Sequence, residues 1–191
     1  MEKKKKTGRI VFISILCFVA FLLLGSLVFV EVSIVTLNSS LEEKQTDVVE
    51  AFEARSKAVN ELVAIIKSKM DLETKSFSTL AEAEKALKAA TDIKSLSEAN
   101  LKVDAAIDNL VYVMADKYPY LESPEVLDIE SDIDSARNRI VMESTDFNDV
   151  ANEYNFAVRN FPGNLLSSIF SHQTTETLKI VDYKSLALIG G

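Results

Sequence analysis

The chain has few residues that break helices or carry redox chemistry: three prolines, five glycines, one cysteine, one histidine and no tryptophan among 191 residues. Because Cys17 is the sole cysteine, an intramolecular disulfide and a cysteine metal cluster are both excluded. His172 lies in a C-terminal tail that we expect to be mobile, and the sequence contains no His-Glu-x-x-His motif, P-loop or glycine-rich dinucleotide loop. We therefore predict a protein that is not an enzyme and that needs no cofactor or metal.

Glycine and proline are absent between Gly25 and Pro119, a region rich in Ala, Leu, Glu and Lys. These four residue types lose little side-chain conformational entropy on entering a helix, so we predict that the region is helical. Its apolar residues recur along one face at intervals of three, four or seven: Leu41, Val48, Phe52, Val59, Leu62 and Ile66. The stripe falters near residues 67–75 and resumes in a shifted phase, at Phe77, Leu80, Ala83 and Leu87. The chain either bends there as one long rod or turns back as a hairpin, with Asp71 as a candidate N-cap.

Residues 10–30 form an apolar run without a charge. At about 1.5 Å per residue the run spans about 30 Å, the thickness of a bilayer's hydrocarbon core, so we predict a transmembrane anchor. A cleaved signal peptide is the alternative. The apolar region of a signal peptide is shorter, however, and it ends at a small-x-small cleavage site that is not found cleanly in this sequence. Five basic residues precede the span in residues 1–9, which predicts a cytoplasmic N-terminus and an extracytoplasmic helical domain.

The chain beyond the span is acidic. Setting aside the five bases and one acid that precede the span leaves 16 basic and 28 acidic residues, a net charge of −12. Such a surface repels nucleic acid, so we predict no nucleic-acid partner. The alternating acids Asp128, Glu130, Asp132 and Asp134 do not form a calcium loop, because Ile133 stands where a glycine is needed; we interpret them as a solvated face.

Two further helices are predicted before the C-terminus. Ser95-Leu96-Ser97-Glu98 has the form of a capping box, which predicts a helix that ends before Tyr118-Pro119. Ser123-Pro124 predicts the start of the next helix. Its apolar seam follows alternating steps of three and four: Val126, Ile129, Ile133, Ala136, Ile140, Glu143, Phe147, Val150, Tyr154, Ala157 and Phe161. Glu143 interrupts the seam, either at a solvated part of the interface, which we favour, or as a buried carboxylate paired with a base.

This seam ends in the segment Tyr154-Asn155 followed by Phe161-Pro162-Gly163-Asn164. We predict that the rings of Phe147, Tyr154 and Phe161, which lie seven residues apart, fill the end of a bundle. Pro162 should end the helix. Gly163 should take up a left-handed conformation if the corner, the turn at residues 161–164, needs one. Asn164 should then cap a short helix over residues 165–170.

Together with Tyr118-Pro119, Asn138-Arg139-Ile140 and Phe147-Asn148, this segment resembles the LemA family of bacterial membrane-anchored helical proteins. The resemblance implies an all-α fold: an N-terminal transmembrane helix (10–30) after a basic tail (1–9), an elongated antiparallel bundle of three to four long helices (31–170) and a C-terminal tail (171–191). It also implies a partner. Proteins of this family are often encoded beside a membrane zinc peptidase, which suggests a helper in membrane-protein quality control.

We predict a surface for this partner next to the corner. Asn148 and Asn155 lie one heptad apart and could bind a partner strand or polar ligand, although interhelical hydrogen bonds are the favoured interpretation. An apolar patch of Phe156, Leu165, Leu166, Ile169 and Phe170 is predicted to receive the C-terminal tail or a membrane-protein partner. The sequence thus favours a non-enzymatic scaffold or interaction protein of the bacterial envelope, with lipid bound through the anchor. The alternative is a sensor or peptide-binding module that signals through the span; the oligomeric state stays open.

Overall fold

A computed structural model describes residues 2–69, 75–117 and 124–181. Within these ranges the chain has five helices and no strand: α1 (Glu2–Lys69), α2 (Lys75–Lys88), α3 (Ile93–Lys117), α4 (Pro124–Arg159) and α5 (Gly163–Phe170). The prediction of an all-α fold with a long apolar N-terminal helix is confirmed. Two compact units divide the chain: unit 1 takes the residues up to Ser40 together with Asn152–Thr175, and unit 2 takes Leu41–Ala151 and the segment that begins at Glu176.

The break after α1 turns the chain back as a hairpin. Asn60 on α1 donates a hydrogen bond to the Glu84 carboxylate on α2 at 3.3 Å, although 24 residues separate them. A continuous rod would hold these residues about 36 Å apart, so the rod is excluded. Asp71, the candidate N-cap, lies outside the described residues.

Helices α1 and α4 run antiparallel in unit 2. Lys44 on α1 pairs with Asp146 on α4 at 3.5 Å, and Glu50, further along α1, pairs with Arg139, earlier on α4, at 3.4 Å. All six α1 residues predicted to share one apolar face are buried. Helix α4 begins at Pro124 as predicted, and its seam is buried from Val126 to Phe147. The bundle core is therefore placed where the heptad spacing predicts it.

Helix α3 begins earlier than its predicted capping box. The Asp92 carboxylate accepts a hydrogen bond from the Ser95 backbone N–H at 2.8 Å, and the Ser95 hydroxyl oxygen accepts one from the Asp92 N–H at 3.2 Å. Asp92 is thus the N-cap, and Ser95, the predicted cap, lies in the first turn. Both Asp92 and Ser95 can act as a helix N-cap, and the spacing of residues in the sequence alone did not show which of them caps α3.

The carboxylate of the N-cap residue Asp92 should make the stability of the protein depend on pH. The hydrogen bond from Ser95 lowers the pKa of the Asp92 carboxyl below its usual value. A carboxylate with a lowered folded-state pKa stabilises the protein above its unfolded pKa of about 3.9 and loses that effect as the pH falls through the folded value. We expect the difference in melting temperature between the wild type and Asp92→Asn to shrink as the pH is lowered from 6 through this window. A difference independent of pH would contradict this assignment.

The favoured interpretation of Glu143, a solvated position in the α4 seam, is wrong. Its side chain is buried rather than solvated, and its carboxylate lies 3.6 Å from Arg139 Nε on the same helix. The alternative of a buried carboxylate paired with a base is therefore correct. Arg139, one turn before Glu143 on α4, contacts Glu143 and also pairs with Glu50 on α1.

Candidate functional site

Charged side chains meet in the interior of unit 2. Arg55 on α1 is fully buried and donates a short hydrogen bond to Asp104 on α3. Arg137 on α4 lies 3.9 Å from the same carboxylate and 2.7 Å from Asp108, one turn further along α3. One buried acid thus faces two bases from different helices. Because each partner comes from a separate element, we assign this cluster a structural role.

This cluster was not predicted from the sequence, although the sequence contains a signal for it. Arg55 falls between Phe52 and Val59 on the apolar face of α1, and Arg137 stands four residues after Ile133 on α4. Charged residues at positions that the periodicity assigns to the core indicate buried ion pairs, since an unpaired charge there would be costly.

Asn148 holds the C-terminal tail in unit 2. Its carboxamide donates to the carbonyl oxygen of Leu178 at 2.8 Å and accepts from the Leu178 N–H at 2.7 Å. The next residue, Lys179, donates its N–H to the Ser97 hydroxyl oxygen at 3.1 Å, and the Leu178 side chain is buried. Every one of these hydrogen bonds is made to the backbone of the tail.

Asn155 makes the equivalent contact in unit 1. It donates to the Thr175 carbonyl oxygen and accepts from the Thr175 N–H, both at 2.9 Å. Neither asparagine therefore makes the interhelical bond that the sequence favoured. The tail is non-helical over residues 172–181, and these contacts fix it, contrary to the expected mobility of the segment around His172.

The corner between α4 and α5 differs from its prediction at three residues. Phe161 is 79% exposed and not part of the bundle end, because α4 ends at Arg159 before its seam reaches that position. Gly163 has no left-handed backbone; it is needed for close packing, since a Cβ there would lie 1.9 Å from the carbonyl oxygen of Ala157. Asn164 does not cap α5, because Pro162 occupies the N-cap position.

Other predicted residues are placed as follows. Tyr154 is buried, as expected, and burial raises the pKa of its phenol, so the hydroxyl stays protonated at neutral pH. Leu166 is buried and therefore belongs to the core instead of the predicted surface patch. Phe156, Ile169 and Phe170 are exposed. Tyr118 and Pro119 lie outside the described residues.

An open cleft of about 410 Å³ lies within unit 1. Tyr154 lines it together with Asn38 from α1 and His172 from the tail. His172 Nε2 lies 2.9 Å from a Glu31 carboxylate oxygen, which joins the start of the tail to α1. Among the described residues, no group of three or more His, Cys, Asp or Glu side chains could hold a metal ion.

A family model named LemA family matches residues 44–187. The chain belongs to the LemA family. The matched range contains both asparagines that hold the tail, the corner and all of α2 to α5, and it begins after the apolar segment of α1. No curated protein matches this LemA-family chain.

The apolar segment of α1 is compatible with one membrane span. Its most apolar window of 18 residues has a mean hydropathy of 2.8, and none of that window is buried against the protein. Large apolar side chains from Phe12 to Phe29 are exposed around the helix. A helix that is apolar on all sides needs an apolar surrounding, which a bilayer supplies.

Proposed function

We propose that this chain is a membrane-anchored, non-enzymatic interaction protein of the bacterial cell envelope that binds extended polypeptide segments along α4. The basic N-terminal tail would be cytoplasmic and the helical units extracytoplasmic, as the flanking charges predict. The family resemblance adds a membrane protein as partner, with a membrane peptidase and a role in quality control as the specific form of this proposal.

The observation that carries the proposal is the way in which α4 holds the tail. The Asn148 carboxamide satisfies both the N–H and the C=O of Leu178, and the Asn155 carboxamide does the same for Thr175. Contacts to the backbone accept almost any sequence in an extended conformation, whereas the buried Leu178 side chain selects an apolar residue at one position. A partner segment with a large aliphatic residue could therefore replace the tail.

Photo-crosslinking in intact membranes tests this function. A photoreactive amino acid at the exposed position Asp149 should capture a partner, and mass spectrometry would identify it. Deleting residues 172–191 should raise the yield of the crosslinked partner, because the competing tail is gone. In this tail-deleted chain, Asn148→Ala should lower the yield by up to about 30-fold, because it removes two hydrogen bonds of about 1 kcal/mol each.

Asn138→Ala is the matched control, because Asn138 is an exposed asparagine of the same helix. It should leave the yield unchanged. Equal yields from Asn148→Ala and Asn138→Ala would contradict binding at the asparagines, and the absence of any partner under several growth conditions would count against the interaction role.

The cleft at Tyr154 favours a sensor as the second candidate. Its lining from α1, α4 and the tail would couple a bound polar ligand to the helix that carries the apolar segment. A ligand bound there should protect the amide protons of Ser171 and Gln173 from hydrogen exchange. Protection without any captured protein partner would favour the sensor over the interaction protein.

A further inference from the structure

Five large apolar side chains near α5 are exposed in unit 1: Phe156, Phe161, Leu165, Ile169 and Phe170. We call this set the α5 patch. Phe156, Phe161 and Ile169 are each at least 70% exposed. Helix α5 contains no charged residue, and its polar residues are serines and one asparagine. An exposed, uncharged apolar group of this size is costly in water and needs a partner.

Helix α5 lies beside the end of the apolar segment of α1. At its start, a Cβ on Gly163 would lie 3.4 Å from the side chain of Ile34. Just past its end, His172 contacts Glu31, the residue that directly follows the apolar run 10–30. Both ends of α5 are therefore within a few residues of the point where α1 would leave the bilayer.

The same two contacts place both ends of α5 at nearly the same level along α1. Glu31 and Ile34 are three residues apart, which is about 4.5 Å along the axis of α1. Helix α5 has eight residues and is about 12 Å long, so we infer that it is inclined to the axis of α1. With α1 crossing the bilayer, both ends of α5 would lie near the membrane surface.

We propose that the α5 patch inserts into the interfacial region of the bilayer that holds the anchor, so that unit 1 binds lipid a second time beside its span. The proposal rests on the membrane anchoring in the proposed function. Short helices with one apolar face lie in this region with that face about 5–10 Å deep, at the boundary between headgroups and acyl chains. The lack of charge on α5 removes the main cost of entering it.

Single-tryptophan variants of the full-length chain test the proposal, because the natural sequence has no tryptophan and each variant carries one fluorophore. The variants are reconstituted in phosphatidylcholine vesicles that contain phospholipid brominated either near the headgroup or near the bilayer centre. Bromine quenches tryptophan only at short range. Ile169→Trp and Phe170→Trp place the probe at exposed positions, so the fold should tolerate both; circular dichroism checks this.

We expect Ile169→Trp and Phe170→Trp to lose much of their emission with the shallow bromines and little with the deep ones. Phe21→Trp, in the middle of the apolar segment, should be quenched most by the deep bromines. Glu153→Trp is the aqueous control. Glu153 is exposed to solvent and directly precedes Tyr154. Tyr154 lines the same cleft as Asn38, and Asn38 lies on α1 eight residues beyond the end of the apolar run 10–30.

The outcomes separate the two proposals. If Phe21→Trp is quenched and both α5 variants are not, the anchor stands and the lipid contact is wrong, which leaves the α5 patch to a protein partner. If Phe21→Trp is itself unquenched, the anchoring fails first. Equal quenching of Glu153→Trp and Phe170→Trp would also overturn the specific contact of α5 with lipid.

Discussion

Replacing Asp104 with alanine is expected to lower the free energy of unfolding by about 3 to 5 kcal/mol. Asp104 is the buried carboxylate that pairs with Arg55, and Arg55 has no exposed surface through which water could replace it. The Nε and Nη2 atoms of Arg55 already have no hydrogen-bond partner among the described residues, so Asp104 supplies the main compensation for its charge. Urea denaturation of the full-length protein in detergent, followed by circular dichroism, measures the loss.

Asp108→Ala is the matched control for this experiment. Asp108 lies one turn further along α3 and also pairs with Arg137, but its side chain is two-thirds exposed. Water reaches the Asp108 side chain, and Asp104 still faces Arg137 after the substitution, so the control should lose less stability than Asp104→Ala. Equal losses in the two variants would contradict the importance of burial. The double variant Arg55→Met with Asp104→Leu should recover most of the stability, because it removes the charges of Arg55 and Asp104 together and leaves Arg137 paired with Asp108.

Gly163→Ala is expected to destabilise unit 1 by about 3 kcal/mol, at the upper end of the usual cost of overpacking. The added Cβ would lie 1.9 Å from the carbonyl oxygen and 3.1 Å from the carbonyl carbon of Ala157. Both are backbone atoms of α4, so no side-chain rotation can relieve the overlap and the corner must shift. Faster hydrogen exchange at the α5 amides of Leu166 and Ser167, with a lower melting temperature, would report it.

Gly25→Ala is the matched control, because it adds the same methyl group where no atom lies within 4 Å. It should leave exchange in α5 unchanged and stabilise α1 slightly, since alanine favours helix over glycine. An α5 that exchanges equally slowly in both variants would show that the corner tolerates the extra group.

Periodic residues were the best guide to the fold. The stripe from Leu41 to Ile66 and the start of α4 at Pro124 follow from local rules that need no knowledge of neighbours. The long rod and the hairpin could not be separated from sequence, because the choice depends on contacts such as Asn60 to Glu84 across 24 residues. Helix ends were less predictable, since Asp92 and Ser95 are both good N-caps.

The predictions for the corner failed where they depended on three-dimensional packing. Phe161 continues the heptad count of α4, but the helix has ended two residues earlier, so the count no longer places its ring. The role of Gly163 depends on the position of the Ala157 carbonyl, which no sequence pattern encodes. Asn148 and Asn155 were recognised as candidates for binding a partner strand, whereas the non-helical segment that they hold in this structure comes from the same chain.

The shared carboxylate of Asp104 has a consequence for how unit 2 folds. A partly folded state that has assembled only α1 and α4 would bring Arg55 and Arg137 into the interior without the carboxylate that faces both of them. Such a state would bury two positive charges without compensation, which is costly. We therefore expect α1 and α4 to pair stably only once α3 supplies Asp104.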